Sequence, residues 1–467
     1  MTTVSQSAEG NSTFSTRAER YAAGKALRVK APRTSHGEWA AALDRPDPIS
    51  LLEEQNRTRV PELVPIRYGR MSLSPFAFLR GSAIVMVSDL AKTPISGINV
   101  QLCGDAHVSN FGGFASPERE LVFDVNDFDE TLPGAWEWDL KRLAASIIVA
   151  GRENGYTAAE NRQAVVGSIQ QYQAMMQREA SMCALDVWYQ HIDVQGMMVM
   201  AKRKEQEWLQ NQEKRASHRT NEGVFPKLVN QVEGTYCIKD DPPLIVHVEE
   251  LGDVKKTEEA EAERVKKAFD AYVKTLPDDR KVLLSKYHFV DFARKVVGVG
   301  SVGTRCWVLL FMAGGDGDDP LFLQVKEADA STLEPYFGKS AYANHGERVV
   351  QGQRLMQEES DIFLGWTHGE VVDLYVRQLR DMKLSADIAT MTKKEFEFYT
   401  RQCASALARA HARSSDPAMI SGYLGSSDLF AQAISRFAEA YADQTEHDYA
   451  ALLAAIKKGR IQAKVDV

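Results

Sequence analysis

The sequence predicts a helix-rich α+β fold in two lobes, one mainly helical and one built on a β-rich segment. Three observations carry this reading. First, apolar residues recur at helical spacing in two distant stretches. One runs through Leu140, Leu143, Ile147 and Ile148 and on to Val165, Val166, Ile169, Tyr172 and Met176. The other runs through Phe396, Tyr399, Cys403, Leu407 and Ala410. Second, the pattern between them changes near residue 287, where YHFVDFARKVVGVGSVGTRCWVLLF and LFLQVKEA read as strands around a glycine-rich turn. Third, 467 residues with 44% hydrophobic and 26% charged side chains match globular usage and suffice for two or three domains.

Taken in order, residues 1–60 read as a flexible N-terminal arm, its first 35 rich in Ser, Thr, Ala and Arg. Residues 61–200 form the first part of the helical lobe. They open on the compact apolar segment SPFAFLRGSAIVMVSDL, followed by strand-like runs at 98–103 and 120–125, each leading into a carboxylate-bearing turn. Thr157 and Glu160 make a T-x-x-E capping box. Residues 201–284, with EELGDVKKTEEAEAERVKK, read as a charged helical insert and linker. Residues 285–385 form the small β-rich lobe. There LFLQVKEA alternates, with Leu321, Leu323 and Val325 on one face and Phe322, Gln324 and Lys326 on the other. GGDGDDP is a turn, a helix spans about 346–359, and IFLGW and VVDLYVRQL are strand-like. Residues 386–467 complete the helical lobe.

Composition narrows the function. A net charge of −8 argues against a broad nucleic-acid footprint. The five cysteines, 103, 183, 237, 306 and 403, are scattered and contain no CxxC, which disfavours a disulfide framework or a structural zinc. The polar N-terminus lacks an apolar leader, and no apolar run is long enough to span a bilayer. A cytoplasmic protein that does not span a membrane is expected. Oligomeric state is left open.

Four constellations bear chemistry. Gly298, Gly300 and Gly303, with Ser301 between them, have G-x-G-x-x-G spacing. The β-forming residues after Gly303 argue against a dinucleotide fold, in which a helix would follow. A strand–glycines–strand loop instead suits phosphates, which approach backbone N–H groups where no side chain intervenes. Taken alone, the motif is more often a glycine-bearing hairpin with no ligand. Lys326, in the next predicted strand, can neutralise phosphate charge and needs an acidic partner on the following helix. Glu347 is the first choice, with Gln353 and Glu358 also open. LCGDAHVSNFGGF places Asp105, His107 and Asn110 on one polar loop, suited to orienting a hydroxyl and holding a divalent cation. LVFDVNDFDE adds Asp124, Asp127 and Asp129 as Mg²⁺ candidates, with one strand between Asp105 and Asp127. Asp139 reads as a helix N-cap. The alternative, a two-metal phosphoesterase, lacks the further G-N-H and G-H-x-H ligands, and His368 and His411 are isolated.

GDAHVSN, NDFDE and WDL together resemble the signature of the aminoglycoside-phosphotransferase type of protein-kinase-like fold, with Cys103 where that family usually has His. GVGSVG, QVKEA and the next helix resemble a kinase N-lobe, and ALARAHARS resembles the helix that leads into the catalytic loop. The order is inverted, since Asp105 and Asp127 precede Gly298 and Lys326. The resemblance therefore implies a circularly permuted, two-lobed kinase-like fold. SPFAFLRG, QLCGDAHVSNFG, FDVNDFDE and GQRLMQEESDIFLGW also resemble a bacterial family, domain of unknown function 2252, from about residue 60 to 450. The expected activity is ATP- and Mg²⁺-dependent phosphoryl transfer to an unidentified hydroxyl acceptor. Asp105 would be the base, with His107 contacting phosphate or ordering the loop. Asn110, Asp127 and Asp129 would lie at the metal, and the glycine loop, Ser301, Lys326 and Glu347 at the nucleotide. Alternatives are a nucleotide-binding module without turnover and nucleotidyl transfer.

Overall fold

The computed structural model describes residues 15–465, apart from 233, 248–253, 297, 315–318 and 380–381. The start of the expected arm, residues 249–253 of the charged run and most of the GGDGDDP turn lie outside these residues.

The chain is a mixed α+β protein. Its helical part is built from Glu137–Glu153, Ala158–Ser181, Lys393–Ser414, Pro417–Leu424 and Leu429–Lys457. The apolar periodicity has a direct physical outcome: Leu140, Leu143, Ile147, Val165, Ile169, Tyr172, Tyr399, Cys403 and Leu407 are all buried in one core. Trp136 stacks on Tyr172 within it, ring centroids 5.8 Å apart. Thr157 and Glu160 form the capping box at the start of Ala158–Ser181. Short strands sit against these helices. Asn99–Leu102 pairs with Leu132–Ala135, and Phe111–Ala115 pairs with Leu121–Val125. Lys393–Ser414, far downstream in the chain, packs on Asn99–Leu102 and Leu121–Val125. Arg409 on that helix makes a buried ion pair with Asp124, and burial pushes the Asp124 carboxyl up while Arg409 opposes the shift.

The second part is a six-stranded antiparallel sheet. Its order is Gly365–His368, Asp373–Gln378, Pro320–Ala328, Cys306–Met312, His288–Lys295 and Ile245–Val246. The alternation read in LFLQVKEA is realised. Leu321 and Leu323 pack with Tyr272, Phe311 and Val376, whereas Phe322 packs on the opposite face with Ala293, Val308 and Leu310. Lys326 shares the Phe322 face, which toward this end of the strand turns to the helical part.

Two segments differ from expectation. Residues 15–60, expected as part of a mobile arm, form helices such as Arg17–Ala26 and Pro48–Gln55 docked on the C-terminal helices. Their anchors mix arginine bonds with scattered apolar contacts, Trp39 on Phe437 and Tyr441, and Ile49 and Leu52 beside Leu452, so no long apolar period marks them. Arg28 donates to the carbonyls of Gly422 and Tyr423, and Arg45 bridges Asp89 and Asp448 at 2.7 and 2.6 Å. Residues 201–284 are not wholly helical. They include the hairpin Val229–Val232 with Thr235–Ile238, and the edge strand Ile245–Val246. Among the described residues no helix is long and apolar enough to cross a membrane.

Removing one partner of a buried ion pair leaves an uncompensated charge and costs about 3–5 kcal/mol. Arg409→Met should therefore lower unfolding free energy by about that amount in urea titrations, and adding Asp124→Asn should restore part of it. A single-variant loss within about 0.5 kcal/mol of zero would refute the structural role assigned to this pair.

Candidate functional site

Asp105 follows the strand Asn99–Leu102 on a loop whose path depends on Gly104. That residue has φ +83°, and a Cβ there would lie 2.5 Å from the Glu130 carbonyl oxygen. The loop is pinned from below by Asp139. Its carboxylate accepts the amides of Cys103 and Gly104 at 2.9 and 3.1 Å and lies 3.3 Å from His411 Nε2. Asp139 is therefore not the N-cap of its helix, as expected from sequence. It sits in the first turn of Glu137–Glu153 and its side chain holds the Asp105 loop.

Asp105 is mostly buried. Arg142, one helical turn beyond Asp139, donates from Nε to Asp105 Oδ1 at 2.7 Å. Burial raises the Asp105 pKa and Arg142 opposes the rise. Asn110 donates from Nδ2 to the Asp105 carbonyl at 2.8 Å, closing the loop on itself. His107 Nδ1 accepts the Ser109 amide at 3.2 Å, and Nε2 is 3.8 Å from Asp105 Oδ2. Burial, with help from Arg80 and Arg142, drives the His107 pKa well down. Burial thus favours the neutral ring, and the Ser109 amide bonded to Nδ1 ties it into the loop.

Asp127 and Asp129 leave the strand Leu121–Val125 on the next turn and part company. Asp127 Oδ1 accepts the Asp129 amide at 3.2 Å, and Asp127 lines the cleft. Asp129 is the partner of Lys326, making a short ion pair, and also accepts from Ser301 Oγ at 3.1 Å and Tyr375 OH at 2.8 Å. Against the upward push of burial, Lys326 and Tyr375 hold the Asp129 carboxyl at about 2. Against its own burial, Lys326 is pushed above the ordinary lysine range by Asp129. Glu347, expected to pair with Lys326, does not. It lies in the first turn of His345–Met356, where its amide is capped by Asn344. The neighbouring Arg348 is the residue that reaches in, donating to the carbonyls of Asp129, Thr131 and Asp329 at 2.7–2.8 Å.

The glycine turn contains one helical turn, Val299–Ser301. Gly303 has φ +92° and needs glycine there, with Arg59 3.1 Å from a would-be Cβ. Arg59 donates to the carbonyls of Val302 and Gly300 at 2.5 and 2.9 Å, fastening the turn to the N-terminal part of the chain. Gly298 has open space around it.

These elements enclose a cleft with two chambers that share Arg80, Asp105, Asp127, Gly300 and Ser301. One, of about 320 Å³, is lined by His107, Asn110, Gly298 and the cations Lys295, Lys326, Arg377 and Lys383. The other, of about 450 Å³, is rimmed by carboxylates, including Glu54, Asp129, Glu130, Glu327 and Asp329, with Arg59 and Arg67 on its wall. Among the described residues no three His, Cys, Asp or Glu side chains are grouped to hold a metal. Asp105, His107, Asn110, Asp127, Asp129, Lys326 and the glycine turn are thus brought together, and Glu347 is left out of their bonding. Arg142, Arg377, Tyr375 and Arg59 were missed. A usable signal existed for two of them: Tyr375 and Arg377 alternate in DLYVRQ, opposite Lys326 and Gln324 across the strand pair.

Residues 59–455 match the family model described as uncharacterized protein conserved in bacteria (DUF2252), and the chain belongs to that family. Searches of curated proteins and of solved structures found no match.

Asp129 contributes stability through a depressed pKa, so that contribution is complete above its ordinary value of 3.8 and is lost as pH falls toward 2. Asp129→Asn should destabilise by about 3 kcal/mol or more near pH 6, because Lys326 loses its buried counter-charge. The difference from wild type should hold down to about pH 4.5 and shrink toward pH 2 in acid-unfolding titrations. A difference that grows on acidification would contradict the assigned pairing.

Proposed function

We propose that the protein is a Mg²⁺-dependent, ATP-using phosphotransferase with a protein-kinase-like architecture in permuted chain order. One observation carries the reading. The Asp105–Asn110–Asp127 segment and the glycine turn with Lys326 lie far apart in sequence, yet they line one cleft, and the chamber between them gathers Lys295, Lys326, Arg377 and Lys383. A chamber so rich in cations, beside two carboxylates and a glycine turn, suits a polyphosphate.

In this reading the glycine turn and Lys326 hold the phosphates. Mg²⁺ prefers one or two carboxylates plus substrate phosphates over an all-protein cage. Asp127, with the Asn110 amide oxygen, would supply the protein's share of its ligands. Arg142 occupies Asp105 Oδ1, leaving Oδ2 to orient and deprotonate the acceptor hydroxyl. A carboxyl whose pKa is raised by burial is a better base than an ordinary aspartate. Asp129 serves the site by fixing Lys326 and needs no metal role. The carboxylate-rimmed chamber would receive the acceptor, whose chemistry is then polar and hydroxyl-bearing. The packing of the helix Lys393–Ser414 on the strands that lead into the Asp105 and Asp127 turns supports the permuted reading.

Thermal unfolding with ATP and Mg²⁺, together and separately, tests this on wild type, Asp127→Ala and Lys326→Ala, each against its own ligand-free state. At 100-fold excess over Kd, one site should add about 2.7 kcal/mol in wild type. The gain should require both ATP and Mg²⁺ in full and fall in both variants. No gain at any reachable concentration would overturn the proposal.

A further inference from the structure

Arg80, near the end of the helix Pro75–Gly81, lines both chambers beside Asp105 and Asp127. Buried guanidinium groups ordinarily spend their donors on carboxylates or carbonyls. Its neighbours do so: Arg142 binds Asp105, Arg59 binds the glycine turn, and Arg67 binds Gln55, Asn56 and the Gly81 carbonyl. Arg80 does not. Half-buried, it makes no side-chain hydrogen bond or ion pair with a described residue, whereas Arg59 and Arg67, which share its unpartnered Nε, spend their terminal nitrogens; its guanidinium carbon stands 5.9 Å from the Phe76 ring centroid. Asp105 already has its guanidinium from Arg142, so Arg80 is not needed to neutralise it.

The backbone around Arg80 is fixed on both sides. Arg142 Nη2 donates to the Leu79 carbonyl at 2.6 Å and Arg67 Nη2 to the Gly81 carbonyl at 2.7 Å. A Cβ on Gly300 would lie 3.3 Å from the Arg80 carbonyl oxygen, so the glycine turn rests against this residue. An unspent cation, rigidly carried beside the two carboxylates of a transfer site, has the properties of an electrostatic transition-state stabiliser.

We propose that Arg80 is a catalytic residue that binds the phosphoryl group in transit, as a cation supplied in cis. This rests on the phosphotransferase reading above. In the step, the bond from the γ-phosphorus to the β–γ bridging oxygen breaks, and ADP leaves with the electron pair. A new phosphorus–oxygen bond forms to the acceptor hydroxyl, whose proton passes to Asp105. Arg80 keeps its proton throughout and offsets charge on the equatorial oxygens.

The test is binding of ADP and Mg²⁺ to the full chain, with and without aluminium fluoride as a mimic of the phosphoryl in flight, in wild type, Arg80→Ala and Arg80→Lys. Ligand-free unfolding checks that each variant is folded. Wild type should gain about 100-fold or more in affinity when aluminium fluoride is added. Arg80→Ala should keep its ADP affinity within about threefold and lose most of that gain, and Arg80→Lys should recover part of it, having the charge without the planar fork. An equal gain in all three proteins, or no gain in wild type that binds ADP, overturns the role of Arg80. Failure of wild type to bind ADP and Mg²⁺ at all overturns the nucleotide reading beneath it. Should Arg80→Ala not fold, the comparison of Arg80→Lys with wild type decides the matter by the same criterion.

Discussion

The site depends on the pairing of Lys326 with Asp129. A lysine buried in a sheet is tolerable only with a counter-charge and satisfied donors. Asp129 meets that need while also accepting from Ser301 of the glycine turn and Tyr375 of the neighbouring strand, and Arg348 holds its backbone carbonyl. One residue thereby ties together a turn, two strands and a helix, its carboxylate holding the turn and strands and its carbonyl the helix, with Tyr375 246 positions away in sequence. The pairing has a further consequence two residues back. With Lys326 occupied by Asp129, Asp127 faces the cleft with no cation bonded to it among the described residues, which is the condition a metal-binding carboxylate requires.

Much of this cleft was legible in the sequence, for local reasons. Alternation in LFLQVKEA put Lys326 on the face of Phe322 and Gln324, and the sheet keeps it there. The short spacing of Asp105, His107 and Asn110 required one loop, and Asn110 indeed bonds the Asp105 carbonyl. What sequence could not supply was the partner of each charge. Glu347 was a reasonable choice for Lys326, being acidic and at the start of the next helix, but the carboxylate arrives from 197 positions earlier. Pairing across such a distance leaves no periodicity to read. Asp139 illustrates the same limit. It has the residue type and position of a cap, yet its oxygens are spent on Cys103 and Gly104, a choice settled by tertiary packing. The docked residues 15–60 were missed because their anchors are scattered: arginine-to-carbonyl bonds hold Arg17–Ala26, and a few apolar side chains, Trp39, Ile49 and Leu52, hold the rest, too few and too short-ranged to leave a helical stripe.

Arginine is the recurring device. Arg59, Arg67, Arg142, Arg348 and Arg409 are each buried or nearly so, and each donates to backbone carbonyls of other segments. A guanidinium can satisfy several acceptors in fixed directions, so it joins loops where apolar side chains would leave carbonyls stranded. This explains how a cleft made largely of turns is held without secondary structure spanning it. The cleft is also divided electrostatically. Lysines and Arg377 gather on the side of Gly298 and Asn110, and the carboxylates gather on the side of Glu130 and Asp329.

That division bears on the glycine turn itself. A glycine-rich loop is often treated as a flap, but here Arg59 grips the carbonyls of Gly300 and Val302, and the Val60 amide donates to the Gly303 carbonyl at 2.8 Å. Lifting the turn would break these bonds together with the Ser301–Asp129 contact, and a buried arginine would be left with unpaired donors. The turn is therefore a fixed wall between the chambers, and its glycines serve close approach more than motion. Gly303 meets a backbone demand and Gly300 a steric one against Arg80, whereas Gly298 meets neither and stands open at the cation-rich side. Of the three, Gly298 is the one whose missing side chain leaves room for something other than the protein itself.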